Sequence, residues 1–179
     1  MIDPAVGALL AGAFALLFAS AALHKLRDLR SFAEAFRAYQ LLPDAAARLA
    51  WLVPGLELTV AVGLLATVSR PGAGAAGAAL LLGYACAIAI NLRRGRRDLA
   101  CGCGAAQERR PIAAWMVWRN LVLAVLLGVV LLPWLPRAMR PVDALTIGVG
   151  IAVAALLYAS LDRLLARVAP QAALLGGRR

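Results

Sequence analysis

The chain has 179 residues, of which 63% are hydrophobic and only 16% charged, with 19 Lys+Arg against 9 Asp+Glu and a formal net charge of +10. At a mean hydropathy of +0.82 this apolar content cannot be hidden in one soluble core, which excludes a water-soluble domain and leaves an all-α membrane protein. The arginines fall between apolar runs and not along a groove interleaved with aromatics, so they read as orientation signals and not as a nucleic-acid footprint.

Ala5 to Leu23 is an uninterrupted apolar run, long enough at about 1.5 Å per residue to cross a hydrocarbon layer of about 30 Å. Only Asp3 carries a side-chain charge before it, and His24 and Lys25 follow it. A signal peptide has the reverse order, so the run reads as a retained first span. From Leu26 to Leu42 the pattern changes. Leu29, Phe32, Phe36 and Tyr39 recur at helical spacing with Arg30, Glu34 and Arg37 between them, the signature of a short helix lying in the membrane interface. Ser31 and Glu34 fit a capping box at its start, and Pro43-Asp44 ends it.

A second span is predicted from Ala45 to Val68, kinked at Pro54 and interrupted by the ionisable Glu57. Arg70-Pro71-Gly72 forms a turn, and a third span runs from Ala73 to Leu92, where Gly72, Gly74 and Gly77 permit close helix contact. After the loop Arg93 to Arg110 come a fourth span, Ile112 to Leu132, the turn Pro133 to Pro141, and a fifth span, Val142 to Leu161. Four spans are expected to form the core with the fifth peripheral, as a single domain over residues 1–168 followed by a disordered basic tail, 169–179.

Five spans put the two chain ends on opposite sides of the membrane. One side then holds fifteen Lys+Arg and the other three. By the positive-inside rule the amino terminus is outside and the loop with Cys101 and Cys103 is cytoplasmic.

That loop is the best candidate for chemistry. Cys101 and Cys103 flank one glycine, so their sulfurs can meet, and three readings are open. As a redox dithiol, the pair closes a small strained ring suited to exchange, with Arg93, Arg94, Arg96, Arg97, Arg109 and Arg110 favouring thiolate. As a metal site it lacks ligands beyond His24, so none is expected. As two inert thiols it does nothing. Cys86, alone in an apolar helix, reads as packing.

Ionisable groups inside spans are site candidates in their own right. Glu57 and Arg119 lie at matching depths, about 14 Å and about 12 Å from the basic edge at helical rise, which predicts an ion pair between the second and fourth spans. It either fixes helix register or serves a proton relay, a substrate or a quinone headgroup. His24, at the basic edge, could tune a thiol or carry a proton, or be an ordinary interfacial residue. Asn91 and Asn120 read as interhelix hydrogen-bonders.

The segments His24-Lys25-Leu26-Arg27-Asp28, Leu42-Pro43, Pro54-Gly55-Leu56-Glu57, Asn91 to Arg96 leading to Cys101-Gly102-Cys103-Gly104, and Trp118-Arg119-Asn120 resemble the methylamine utilisation protein MauE family, related to DoxX-like membrane proteins. The similarity covers Ala5 to Leu132. Ala105 departs from the Phe that often follows the last glycine in this family. The resemblance implies a helix bundle of the bacterial inner membrane that helps mature the disulfide-rich small subunit of periplasmic methylamine dehydrogenase, alongside a thioredoxin-like partner, MauD. It carries over to His24, Glu57, Cys101, Cys103, Arg119 and Asn120, with Cys101, Cys103 and His24 as the catalytic set. A periplasmic target and a cytoplasmic cysteine loop lie on opposite faces of the bilayer; electron transfer across the membrane, or joint quinone and thiol chemistry at one edge, would reconcile them. The competing classes are a non-enzymatic scaffold or chaperone that docks a thioredoxin-like partner, and a small-solute transporter built around Glu57 and Arg119.

Overall fold

A computed structural model describes residues 1–41, 43, 48–99 and 111–176, with side chains described as far as residue 165. Its described residues form six helices: α1 (Pro4–Arg27), α2 (Leu29–Ala38), α3 (Leu52–Leu65), α4 (Arg70–Arg93), α5 (Ala114–Val129) and α6 (Pro141–Gly176). Three of them, α1, α4 and Pro141–Leu165 of α6, are long and apolar enough to cross a membrane, whereas α3 and α5 are shorter apolar helices. The sequence reading of five spans therefore meets three full-length ones and two short ones.

Each core helix buries one stripe at three- and four-residue steps. On α1 it is Gly7, Ala11, Phe14, Ala15, Phe18, Ala22 and Lys25. Pro54, Glu57, Val60, Ala61 and Leu64 form it on α3, and Met116, Asn120, Ala124 and Leu127 on α5. Phe18, Val60, Ala61, Leu64, Leu81, Ala124 and Leu127 meet in one apolar core, which makes α1, α3, α4 and α5 a four-helix bundle. Gly77 lets α4 close on its axis: a Cβ there would stand 2.8 Å from Leu127 and 3.0 Å from both Phe18 and Val60. Gly74 meets Leu131 in the same way, while Gly72 has nothing within 4 Å, so only two of the three glycines read as contact residues are contacts.

Helix α6 lies outside the bundle along α1, where Ile151 fills the space beside Gly12 and Leu9 the space beside Gly150. None of its membrane-length window is buried, in keeping with a peripheral last span. Its backbone continues to Gly176, fifteen residues past the expected end at Leu161.

Several boundaries differ from the sequence reading for local reasons. Helix α2 is capped by Asp28, whose carboxylate accepts from Ser31 N–H at 3.0 Å, so the cap is three residues earlier than the Ser31–Glu34 box. Helix α3 begins at Leu52 and not at Ala45. Pro54 thus falls in its first turn, where the missing N–H has no intrahelical partner to lose, and it starts the helix without kinking it. Cys86 is exposed on the outer face of α4 and does not pack in the core.

The two ends of the bundle are tied off differently. At the α1 start, Ile2 N–H donates to Pro133 O at 3.0 Å and Leu135 N–H to Ile2 O at 2.8 Å, and Arg137 grips Asp3 and Asp143 with fork geometry at 2.7 to 3.0 Å. The Arg137 guanidinium, with the Ala5 N–H, holds the Asp3 carboxyl below its ordinary 3.8, and the two carboxylates hold Arg137 above its usual value.

Candidate functional site

The polar interior sits at the opposite end. Helix α1 brings Lys25 inward in its last turn, and α3 places Glu57 just past its first turn. Lys25 Nζ donates to both carboxylate oxygens of Glu57, at 2.6 and 2.9 Å, and the Tyr84 hydroxyl of α4 donates to Glu57 Oε1 at 2.7 Å. Glu57 is 0% and Lys25 4% exposed. Phe32 of α2 and Tyr84 hold their ring centroids 5.6 and 5.5 Å from the same ammonium. Taking two charges out of water is costly, and the cost is offset only where geometry is good and further hydrogen bonds are made. Here three donor contacts converge on one carboxylate and two aromatic faces enclose the cation.

The expected Glu57–Arg119 pair does not form. Asn120 lies on the buried stripe of α5, so Arg119, one residue earlier and rotated by about 100°, faces away from the axis toward α6. There its Nη1 donates to Asp162 at 2.6 Å, and its guanidinium lies 5.3 Å from the Trp115 ring. Angular position around the helix decides the partner. Lys25 and Tyr84 are what the sequence reading missed. The signal for Lys25 was present, because it lies three residues after Ala22 and seven after Phe18 and so continues the inward stripe, whereas its neighbour His24 falls off that stripe and is exposed.

Asn91 and Asn120 are buried, but the amide of each returns to its own helix: Asn91 Nδ2 to Ala87 O at 3.1 Å and Asn120 Nδ2 to Met116 O at 3.0 Å. Among the described residues they are not interhelix bonds. The Asn91 side-chain oxygen accepts instead from Arg96 at 3.5 Å, and Arg96 N–H donates to Asn91 O at 3.0 Å. These contacts fold the chain over the end of α4.

Cys101 and Cys103 lie outside the described residues. The base of their loop is described: Ile112 N–H donates to Leu99 O at 3.1 Å, which brings residues 99 and 112 together. Ile88, Ile112 and Met116, with Tyr39, Leu92 and Leu99 against them, form a second apolar cluster beneath this neck. Arg94 and Arg96 both donate to Gln40, at 3.2 and 2.9 Å, and Gln40 takes up the left-handed φ of 49°. The loop base, the end of α2 and the Lys25–Glu57–Tyr84 cluster therefore share one end of the bundle.

A four-helix core that keeps apolar side chains on its outer faces and a neutralised ion pair in its interior, with three helices long and apolar enough to cross a membrane, has the make-up of a helical membrane protein. A family model described as methylamine utilisation protein MauE matches residues 3–135, and the chain belongs to that family. It is 47% identical to the methylamine utilization protein MauE of Paracoccus denitrificans over 63% of this chain and 61% of that one, so the match spans less than two thirds of that relative. It is 39% identical to the Paracoccus versutus protein of the same name and 34% identical to that of Methylorubrum extorquens, each over 87% of this chain and 83% of the relative. No solved structure matches. The matched segment ends before α6, so Arg119 joins the family segment to a helix outside it.

Proposed function

We propose that the protein acts in methylamine utilisation as a multi-pass protein of the bacterial inner membrane. In this reading it supports thiol–disulfide exchange during maturation of a disulfide-bonded periplasmic protein, together with a thioredoxin-like partner. Cys101 and Cys103 are the exchanging pair. A thiolate of the partner attacks their disulfide, a mixed disulfide forms, and a second partner thiolate releases Cys101 and Cys103 as a dithiol; the two electrons gained by the pair are those lost by the partner.

One observation supports this reading best: Leu99 and Ile112, which bracket the segment with Cys101 and Cys103, are hydrogen-bonded to each other at the end where the buried polar groups gather. The arginine asymmetry supports a cytoplasmic loop and an outer amino terminus, so the partner thiolates meet the pair at the cytoplasmic edge and the electrons cross the membrane to the periplasmic target. Lys25 replaces Arg119 as the partner of Glu57 in the intramembrane cluster, which holds α1, α3 and α4 in register.

The test replaces both Cys101 and Cys103 by Ser in cells that depend on methylamine. Growth is expected to fall to the level of a deletion while the variant remains in the membrane at normal amount. Retained growth would instead assign the protein to the scaffold class.

A further inference from the structure

The two ends of the bundle treat their cations differently. At the α1 start, Arg137 is neutralised by Asp3 and Asp143, and Arg70 donates to Leu64 O at 3.0 Å with its guanidinium stacked 4.0 Å from the Trp134 ring. At the other end Lys25, Arg94, Arg96 and Arg119 also have internal partners. A second set does not. Arg30 and Arg37 of α2 and Arg93 and Arg97 after the α4 core are exposed and form no ion pair among the described residues. Glu34 lies four residues from Arg30 and three from Arg37, yet takes neither. Among the described residues the exposed acidic groups at this end are Glu34 and Asp98, two against four arginines.

Helix α2 fixes where this charge sits. No α2 residue is fully buried, but Phe32 rests on the Lys25 ammonium and lies 6.2 Å from the Phe36 ring, so the aromatic face is turned to the bundle and the guanidinium groups outward. A helix of this pattern at the end of membrane-length helices lies at headgroup level. Guanidinium forks match phosphate oxygens in pairs, and exposed basic residues beside a membrane attract anionic lipid.

We infer that Arg30, Arg37, Arg93 and Arg97, backed by the aromatic face of α2, form a binding surface for the headgroups of anionic phospholipids. It accounts for the larger number of exposed arginines without an ion pair at this end; among the described residues at the other end, Arg140 is exposed without one while Arg137 is paired.

The purified full chain in a neutral detergent is titrated with phosphatidylglycerol or phosphatidylcholine, and bound lipid is counted by native mass spectrometry. Phosphatidylglycerol is expected to bind at least tenfold more tightly, and the R30Q/R37Q/R93Q/R97Q variant to lose that preference. The four-Lys counterpart keeps part of it and R137Q keeps all of it. Repeating the titration of the unmodified chain at high salt needs no folded variant: the preference must shrink as the charges are screened. Equal binding of the two lipids, a preference indifferent to salt, or a folded four-Gln variant that still prefers phosphatidylglycerol would each overturn the inference. The first of these outcomes is also what a surface built for an acidic protein would give.

Discussion

Glu57 shows how one buried side chain can organise three helices. Its carboxylate is reached by Lys25 and Tyr84, and removal of either charge leaves the other stranded. Lys25→Met and Glu57→Gln should each cost on the order of 3–5 kcal/mol. The double replacement by Met and Leu should cost clearly less than the two together, because an apolar pair strands no charge. Chemical unfolding of the detergent-solubilised protein measures this; strict additivity would show that the two groups do not act as a pair. Tyr84→Phe removes one of the donors and should cost about 1 kcal/mol. The importance of Glu57 was legible from its place in an apolar run, and its partner from the inward stripe of α1 and not from depth. Matching depth pointed to Arg119; the angular stripe, on which Lys25 lies and Arg119 does not, points to Lys25.

Helix contacts give a second level of prediction. Gly77 closes α4 onto Leu127, Phe18 and Val60, whereas Gly83 of the same helix has nothing within 4 Å of a Cβ. Gly77→Val should lower the unfolding midpoint by several degrees, while Gly83→Ala leaves it unchanged or raises it, since alanine is the better helix former; equal effects would contradict the packing. At the end of the same bundle, the Asp3–Arg137–Asp143 clamp carries a pH dependence whose sign is fixed. Asp3 has a folded value below its ordinary 3.8, so its contribution is complete above that value and is lost as pH falls through the lowered one. Exchange of the Ile2 and Leu135 amides should therefore accelerate below about pH 3.8, and in Arg137→Gln should be fast at neutral pH as well. The existence of every helix was readable from the hydropathy and the 3.6-residue pattern. Boundaries were less so: Pro54 looked like a kink because α3 was started seven residues too early, and Asp28 was passed over as a cap because Ser31 and Glu34 offered a familiar spacing.

Across the whole molecule, sequence and structure agree on a helical bundle with a peripheral last helix, and the clustering of arginine at one end coincides with the buried polar cluster and the base of the cysteine loop. The all-helical class follows from composition, because backbone groups in lipid must be satisfied internally. Side-chain partnerships do not, because they depend on which helices lie next to one another: α4 beside α3 brings Tyr84 to Glu57, and α6, packed along α1, reaches Arg119 of α5 through Asp162. Cys86, exposed and remote in sequence from the loop, serves as the internal reference for the chemistry proposed for the other two cysteines. The most direct measurement is differential alkylation in intact cells followed by mass spectrometry of all three. The account predicts that Cys101 and Cys103 are recovered partly as a disulfide whose fraction changes when the thioredoxin-like partner is deleted, with Cys86 reduced throughout; two thiols that stay fully reduced whether or not the partner is present would contradict it.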